Sequence, residues 1–278
     1  VSAFDRATAV RRRPANDATA NRATGNGATA NGAIETSYDV DLDLGWSIGG
    51  RPNGGYLLAA IARAATDAAG REHPLAVSGH FLRPPAGGPA LVRTEVMKTG
   101  RTVATVRATL WQDERACLDV LVTAGALPAS PPDHVGTPMP VMPPPEECRA
   151  RAETDFRVEL LDHVDVRIDP ETVPFHGNHG EPVIRGWMSL RDGSPADPLA
   201  LLLAVDVAPP TVFRLGLMGW APTVELSALV RAVPAPGWLA FEAEASLVAG
   251  GWFDENATVW DSTGRVVAQA RQLALVGR

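Results

Sequence analysis

From Ser37 to Leu44 the apolar residues Tyr38, Val40, Leu42 and Leu44 alternate with polar ones, the period of a half-buried strand. Glycine and proline at Gly49, Gly50, Pro52, Gly54 and Gly55 end that pattern. The run YLLAAIARAATDAA that follows is apolar on most sides and predicts a buried helix of about four turns with glycines at its start. Such a helix presents free backbone N–H groups at its first turn. Alternating stretches at 76–82, 90–98, 102–112 and 117–126 then predict antiparallel strands, divided by turn residues such as Pro84-Pro85-Ala86-Gly87-Gly88 and Thr99-Gly100. One buried helix against an antiparallel sheet is a small α+β layer.

Proline crowds the next segment, and residues 128–147 are expected to form a linker, because proline lacks the donor that a sheet interior needs. Beyond it the plan recurs. Strand-like 158–168 and 183–190 lead into an apolar helix at 198–208 (PLALLLAVDVA), then into strand-like 223–231, 238–248, 252–260 and 266–276. LWQDERACLDVLVTAGAL aligns with VWDSTGRVVAQARQLAL, pairing Trp111 with Trp260, and HFLRPP aligns with ALVRAVP, pairing Arg83 with Arg231. A repeat of roughly 100 residues suits two fused α+β units better than a solenoid. The expected division is a leader at 1–35, a first unit at 36–127, the linker, and a second unit at 148–278. Ala, Thr, Asn and Gly fill the leader between Asn16 and Ala33, offering nothing to offset the entropy of ordering, so a flexible segment is expected.

With 45% hydrophobic residues, the 278-residue chain has enough apolar material for a sizeable core. Its net charge of −7, with Lys98 as the sole lysine, argues against a sequence-independent grip on nucleic acid. Cys117 and Cys148 are too few and too far apart for a disulfide framework or a cysteine-rich zinc site, which fits a cytoplasmic protein. No membrane span and no secretory signal are read in the sequence.

Gly45-Trp46-Ser47-Ile48-Gly49 has the GxSxG form of a nucleophile elbow, but the helix is delayed past the serine and no histidine follows His179. His176 and His179 lie in a glycine-rich stretch expected to be a loop rather than a metal site, and Asp162, His163 and Asp165 read as polar strand positions. Neither a P-loop nor a dinucleotide fingerprint is present, so no cofactor and no metal are expected. Asp206 stands apart as the lone charge within PLALLLAVDVAPP. Burying a carboxylate there is costly without a partner, and functional sites are where such costs are tolerated, although an exposed or capping Asp at a helix end is the alternative. Thr223 and Gln272 sit amid apolar neighbours and, taken singly, read more readily as satisfied sheet residues than as site residues.

Together these positions resemble the acyl-CoA thioesterase II family, and the likeness runs through nearly the whole chain after residue 36. RPNGGYLLAAIARAA is similar to that family's glycine-started first helix, and HFLRPPAGGPALVRTEVMKTGRTVATVRATL to its FLRPG strand, turn and following strands. The resemblance implies a double hotdog, two tandem units each with an antiparallel sheet wrapped around a central helix. It also implies a catalytic Asp, Thr and Gln at Asp206, Thr223 and Gln272, and hydrolysis of acyl-CoA to free acid and coenzyme A. On that reading Asp206 activates a water that Thr223 and Gln272 orient, and Asn53, Gly54 and Gly55 bind the substrate and its oxyanion. Arg83, Arg101 and Arg231 are candidates for the phosphates of coenzyme A, or else solvated edge charges. Ala62 and Thr123 occupy the matching positions of the first repeat, so one site per chain is expected. The family likeness further implies a homodimer or homotetramer in fatty acid metabolism. A non-catalytic acyl-CoA-binding protein and a hotdog hydratase are the competing readings.

Overall fold

The structure, a computed structural model, describes residues 1–14, 34–150, 157–175 and 177–277. A 14-stranded antiparallel sheet dominates it. In the first unit β2 (Ile34–Leu42), β6 (Gly88–Thr99), β7 (Val103–Gln112), β8 (Arg115–Gly125) and β5 (His73–Phe81) lie side by side in that order. The second unit repeats the order with β11 (Val183–Leu190), β13 (Leu239–Glu244), β15 (Trp252–Trp260), β16 (Val266–Leu275) and β12 (Thr223–Val230). β5 and β12 pair antiparallel at the centre, with Ser78 opposite Ser227, and make the two halves one continuous sheet. The fold is thus the double hotdog that the family resemblance implies, and the repeat alignment is visible in it. Arg83 follows β5 and donates its N–H to Cys117 O, while Arg231 follows β12 and donates to Val267 O in the same way.

The long helix of the first unit, α2 (Gly54–Ala69), follows a short α1 (Ala3–Ala7) and runs beneath the first half of the sheet. Alanine and leucine favour the helix, the Asn53 side chain caps its N-terminus by accepting from Tyr56 N–H, and Gly70 at φ 59° closes it in the left-handed conformation. Residues 55–62 are buried without interruption. The counterpart in the second unit is much shorter than the predicted 198–208: α3 spans only Ala200–Ala204. Pro209 disfavours helical backbone at Ala208, and the chain leaves the helix through Val205 and Asp206 before a 3₁₀ turn at Thr211–Leu215. Asp206 therefore lies just past a helix end rather than within a helix.

Two further expectations need correction. The leader is structured where the structure describes it: in residues 1–14 α1 and β1 (Val10–Arg12) pack on the first unit, with β1 paired to β2. Arg63, the lone charge in the middle of α2, explains why. It donates to Asp5 at 2.9 Å and to Thr8 Oγ1 at 2.8 Å, while Tyr56 donates its hydroxyl to Ala7 O and Phe4 packs edge-on against Trp46. The low-complexity stretch at 16–33 lies outside the described residues. Nor is 158–168 a single strand: a 3₁₀ turn at Glu159–Asp162 precedes β10 (Val164–Ile168), and His163 stacks on Trp46 with ring centroids 4.8 Å apart. The proline-rich segment carries no helix or strand from 126 to 144, yet Trp187 and Trp260 donate their indole N–H groups to Pro143 O and Thr137 O.

Candidate active site

The N-terminus of α2 faces the end of α3 across a close approach that only glycine allows. A Cβ at Gly55 would collide with the carbonyl oxygen of Leu202 and lie 2.8 Å from Leu203 Cα. This proximity brings Asp206 to the first turn of α2. Its Oδ2 accepts the Gly55 N–H at 2.9 Å and Asn53 Nδ2 at 2.9 Å, and the same Asn53 nitrogen reaches Asp206 O at 3.1 Å. A carboxylate is an acceptor-only group, so both donors suit it, and the positive end of the helix dipole adds to their effect. Asn53 and Gly55, assigned to the substrate from the sequence, here hold the candidate base instead. Gly54 lines the cavity beside them.

That cavity has a volume of about 740 Å³ and lies between the two units. Leu57, Phe81, Phe175, Phe213, Met218 and Phe253 give it an apolar wall, and Asp206, Thr223 and Gln272 all open onto it. The three residues named from the sequence therefore share one chamber. Of the aromatic residues, Phe81, Phe175, Phe213, Trp220 and Phe253 line it, whereas Trp46 and Tyr56 are core residues and Trp252 lies on the surface.

Thr223 begins β12 and Gln272 lies on the neighbouring β16, opposite Leu226, from where its Oε1 accepts the Thr223 hydroxyl at 2.7 Å. Gln272 Nε2 in turn donates at 2.7 Å to Glu255 on β15, a residue that sequence reasoning missed. Thr211, also missed, donates both its N–H (2.8 Å) and its hydroxyl (2.7 Å) to the other Glu255 oxygen. Burial pushes the Glu255 carboxyl up to about 7 against these donors, and the nearby charge of Asp206 pushes the same way. The strand WFDENATVW carried a signal for it: Phe253, Glu255, Ala257 and Val259 share one face by alternation, and a glutamate stands on an apolar side.

Two exposed arginines open onto the cavity. Arg83 was expected there, and it also donates to Ala116 O at 2.9 Å. Arg51 was not; its guanidinium stacks over the Trp220 ring, 4.5 Å from the centroid. Arg101, in the turn between β6 and β7, and Arg231, after β12, do not line the cavity, and neither do Ala62 and Thr123. Ser47 is buried and donates its hydroxyl to Leu44 O and Glu159, which makes it a structural residue rather than a nucleophile. His176 lies outside the described residues. No group of His, Cys, Asp and Glu among the described residues is arranged to hold a metal, and none of their helices is long and apolar enough to cross a membrane.

Comparison with known proteins follows the same two-unit division. Residues 42–125 match the family model of the acyl-CoA thioesterase N-terminal domain, and residues 145–276 that of the acyl-CoA thioesterase C-terminal domain. An uncharacterized protein of Mycobacterium tuberculosis is 33% identical over 264 residues, covering 86% of this chain and 90% of that protein. Among solved structures, a candidate thioesterase II from Thermobifida fusca superposes with a TM-score of 0.83 at 40% identity, over 100% of this chain and 98% of that one. A hot dog protein of unknown function from Alicyclobacillus acidocaldarius shares the fold at 20% identity, with a TM-score of 0.80 over 100% of this chain and 99% of its own.

Proposed function

Because this chain belongs to the acyl-CoA thioesterase family, matched across both of its domains, we propose that it hydrolyses acyl-CoA to a carboxylic acid and coenzyme A with Asp206 as general base. The observation that carries this reading is the Asp206 carboxylate, fixed by Asn53 and Gly55 at the wall of an apolar cavity that Thr223 and Gln272 also line. A water held between Asp206 and the Thr223 hydroxyl attacks the thioester carbonyl as Asp206 takes its proton. Gln272 fixes the Thr223 hydroxyl and so the water's orientation, an effect of the positioning kind. The carbonyl oxygen becomes an oxyanion, which we assign to the N-terminus of α2 at Gly54. The tetrahedral intermediate collapses by breaking its C–S bond. Thiols have pKa values near ~8.5, so the coenzyme leaves as a thiolate without a strong general acid, and the proton on Asp206 returns to solvent or to the thiolate. No covalent nucleophile takes part. The acyl chain lies along Leu57, Phe81 and Phe213, and Arg51 and Arg83 meet coenzyme phosphates at the opening, where arginine's planar fork suits them.

Thiol release from acyl-CoAs of graded chain length, for wild type and Asp206→Asn, tests the proposal. Turnover by the wild type and a loss of about 100-fold or more in the folded variant are expected. Binding of acyl-CoA with no turnover by the wild type would replace the enzyme with an acyl-CoA-binding protein.

A further inference from the structure

We infer that Glu255 is a positioning residue whose ionised carboxylate sets the direction of the hydrogen-bond chain ending at the attacking water, an inference that rests on the thioesterase reading above. Glu255 is 5% exposed, on the inward face of β15, and no cation pairs with it among the described residues. All of its direct partners are neutral donors. The direction of the chain follows from what each group is able to do. A backbone N–H only donates, so the Glu255 oxygen facing Thr211 must accept. When Glu255 is ionised its other oxygen must accept as well, which obliges Gln272 to turn its NH₂ toward Glu255 and its Oε1 toward Thr223. Gln272 Oε1 has no proton to give, so the Thr223 hydroxyl spends its only proton on it.

The Thr223 oxygen is then a pure acceptor toward the cavity. A water between Thr223 and Asp206 gives one proton to each and keeps a lone pair of its oxygen for the thioester carbon. Protonating Glu255 on the oxygen that faces Gln272 inverts every step. That oxygen becomes a donor, the Gln272 amide flips, and its NH₂ faces Thr223, whose hydroxyl now accepts. Thr223 then points its own proton at the water, which loses the acceptor that fixed its second proton and gives up one of its two lone pairs, so it is both less nucleophilic and wrongly oriented for attack. A single proton reverses the chain with the heavy atoms essentially in place. Glu255→Gln locks this reversed state: the carbonyl end of the new amide is held by Thr211 N–H, and its NH₂ end faces Gln272.

Among the described residues, the charges around Glu255 leave Asp206 as the group that acts on it. Asp254, next to it on β15, faces outward and pairs with Arg271 of β16 at 3.0 Å. On β13, Glu242 pairs with Arg185 at 2.7 Å, and Glu244 is exposed opposite Asn256. Arg214, on the same 3₁₀ turn as Thr211, donates to the carbonyls of Val173 and Asn178. Burial places the Glu255 titration at about 7, so the reversal falls near neutral pH.

The test is kcat and KM for an acyl-CoA substrate across pH 5 to 9, for wild type, Glu255→Gln and Asp206→Asn, with circular dichroism melts to confirm folding. Wild-type kcat is expected to climb through a limb near pH 7. Glu255→Gln is expected to lose that limb and to have kcat about 10- to 100-fold below wild type at pH 8, with KM changed by less than about twofold. A purely structural role would shift KM or lower kcat alike at every pH and leave the limb in place. Retention of the limb, or of wild-type kcat at pH 8, in Glu255→Gln overturns the inference while Asp206→Asn still tests the base. Should Glu255→Gln fail to fold, a flat wild-type profile between pH 6 and 8 overturns it. Absence of hydrolysis by the wild type overturns the thioesterase reading and this inference with it.

Discussion

Replacing Gly55 by alanine puts the contact between the two units to a direct test. The added methyl would overlap Leu202 O and stand 2.8 Å from Leu203 Cα and 3.0 Å from the Leu202 carbonyl carbon. All three atoms are backbone of the buried helix α3, so no side-chain rotation relieves them. Restoring ordinary van der Waals separation requires α2 and α3 to part by roughly 1 Å, and overpacking of this kind costs about 1–3 kcal/mol. The same displacement stretches the 2.9 Å bond from Gly55 N–H to Asp206, worth about 1.5–3 kcal/mol for a charged acceptor. Alanine returns up to about 1 kcal/mol of helix propensity. The net expectation is a loss of about 2–4 kcal/mol, which at about 2–4 °C per kcal/mol lowers Tm by roughly 5–15 °C. A carboxylate displaced by about 1 Å also lowers kcat about 100-fold. Gly54→Ala supplies the internal comparison. Its methyl would meet Asp206 Oδ2 at 2.9 Å and Phe81 ring carbons at 3.1 Å, side-chain atoms that are able to yield. Tm should therefore change by no more than about 3 °C, while kcat falls because the yielding group is the candidate base. Melting curves and thiol-release kinetics on the two variants decide the matter. A Gly55→Ala protein with wild-type Tm and kcat would refute the claim that this backbone contact positions Asp206.

Two further outcomes are expected. Arg51→Ala and Arg83→Ala should each raise KM for acyl-CoA about fivefold, the yield of roughly 1 kcal/mol from an exposed ionic contact, and leave kinetics on a phosphate-free acyl thioester of a short thiol unchanged; an equal effect on both substrates would show that these arginines shape the cavity instead. Glu255→Gln should also alter how stability depends on pH. The Glu255 carboxyl is raised from 4.5 to about 7 in the folded chain, so between those values the folded state binds the extra proton, and the stability it brings is fully present below about 4.5 and lost as pH rises to 7. Denaturant unfolding at pH 5 and pH 8 should therefore show the variant gaining about 3 kcal/mol on wild type at the higher pH, and a constant difference between the two proteins would contradict the burial of an ionised carboxylate.

How much of this was legible in the sequence depended on whether the signal was local. Each first-unit strand announced itself by alternation, and α2 by a long Ala- and Leu-rich stretch between Asn53 and Gly70. α3 was overestimated because VDVAPP continues the apolar composition of the helix, while the restriction that Pro209 places on Ala208 outweighs composition. The order of residues 1–14 was hidden for a different reason. Arg63 looked like a tolerated charge in a buried helix, and only the fold reveals that Asp5 and Thr8 are its partners across more than fifty positions of sequence.

The site divides along the same line. Asp206, Thr223 and Gln272 were visible as polar residues in apolar settings, and the family likeness joined them. Glu255 gave the same kind of signal, but within DEN it looked like one of several surface polar residues. Period-2 alternation separates it from its neighbours: Asp254 and Asn256 point away from Glu255, and Asp254 meets Arg271 on the outer face. Asn53 shows the opposite limit. The family likeness offered it to the substrate alone, and the fold uses both ends of the amide at once, Oδ1 capping α2 and Nδ2 holding Asp206. One side chain therefore ties the start of a helix in the first unit to the candidate base in the second. The two repeats build one candidate site because the carboxylate carried by one is oriented by the helix of the other.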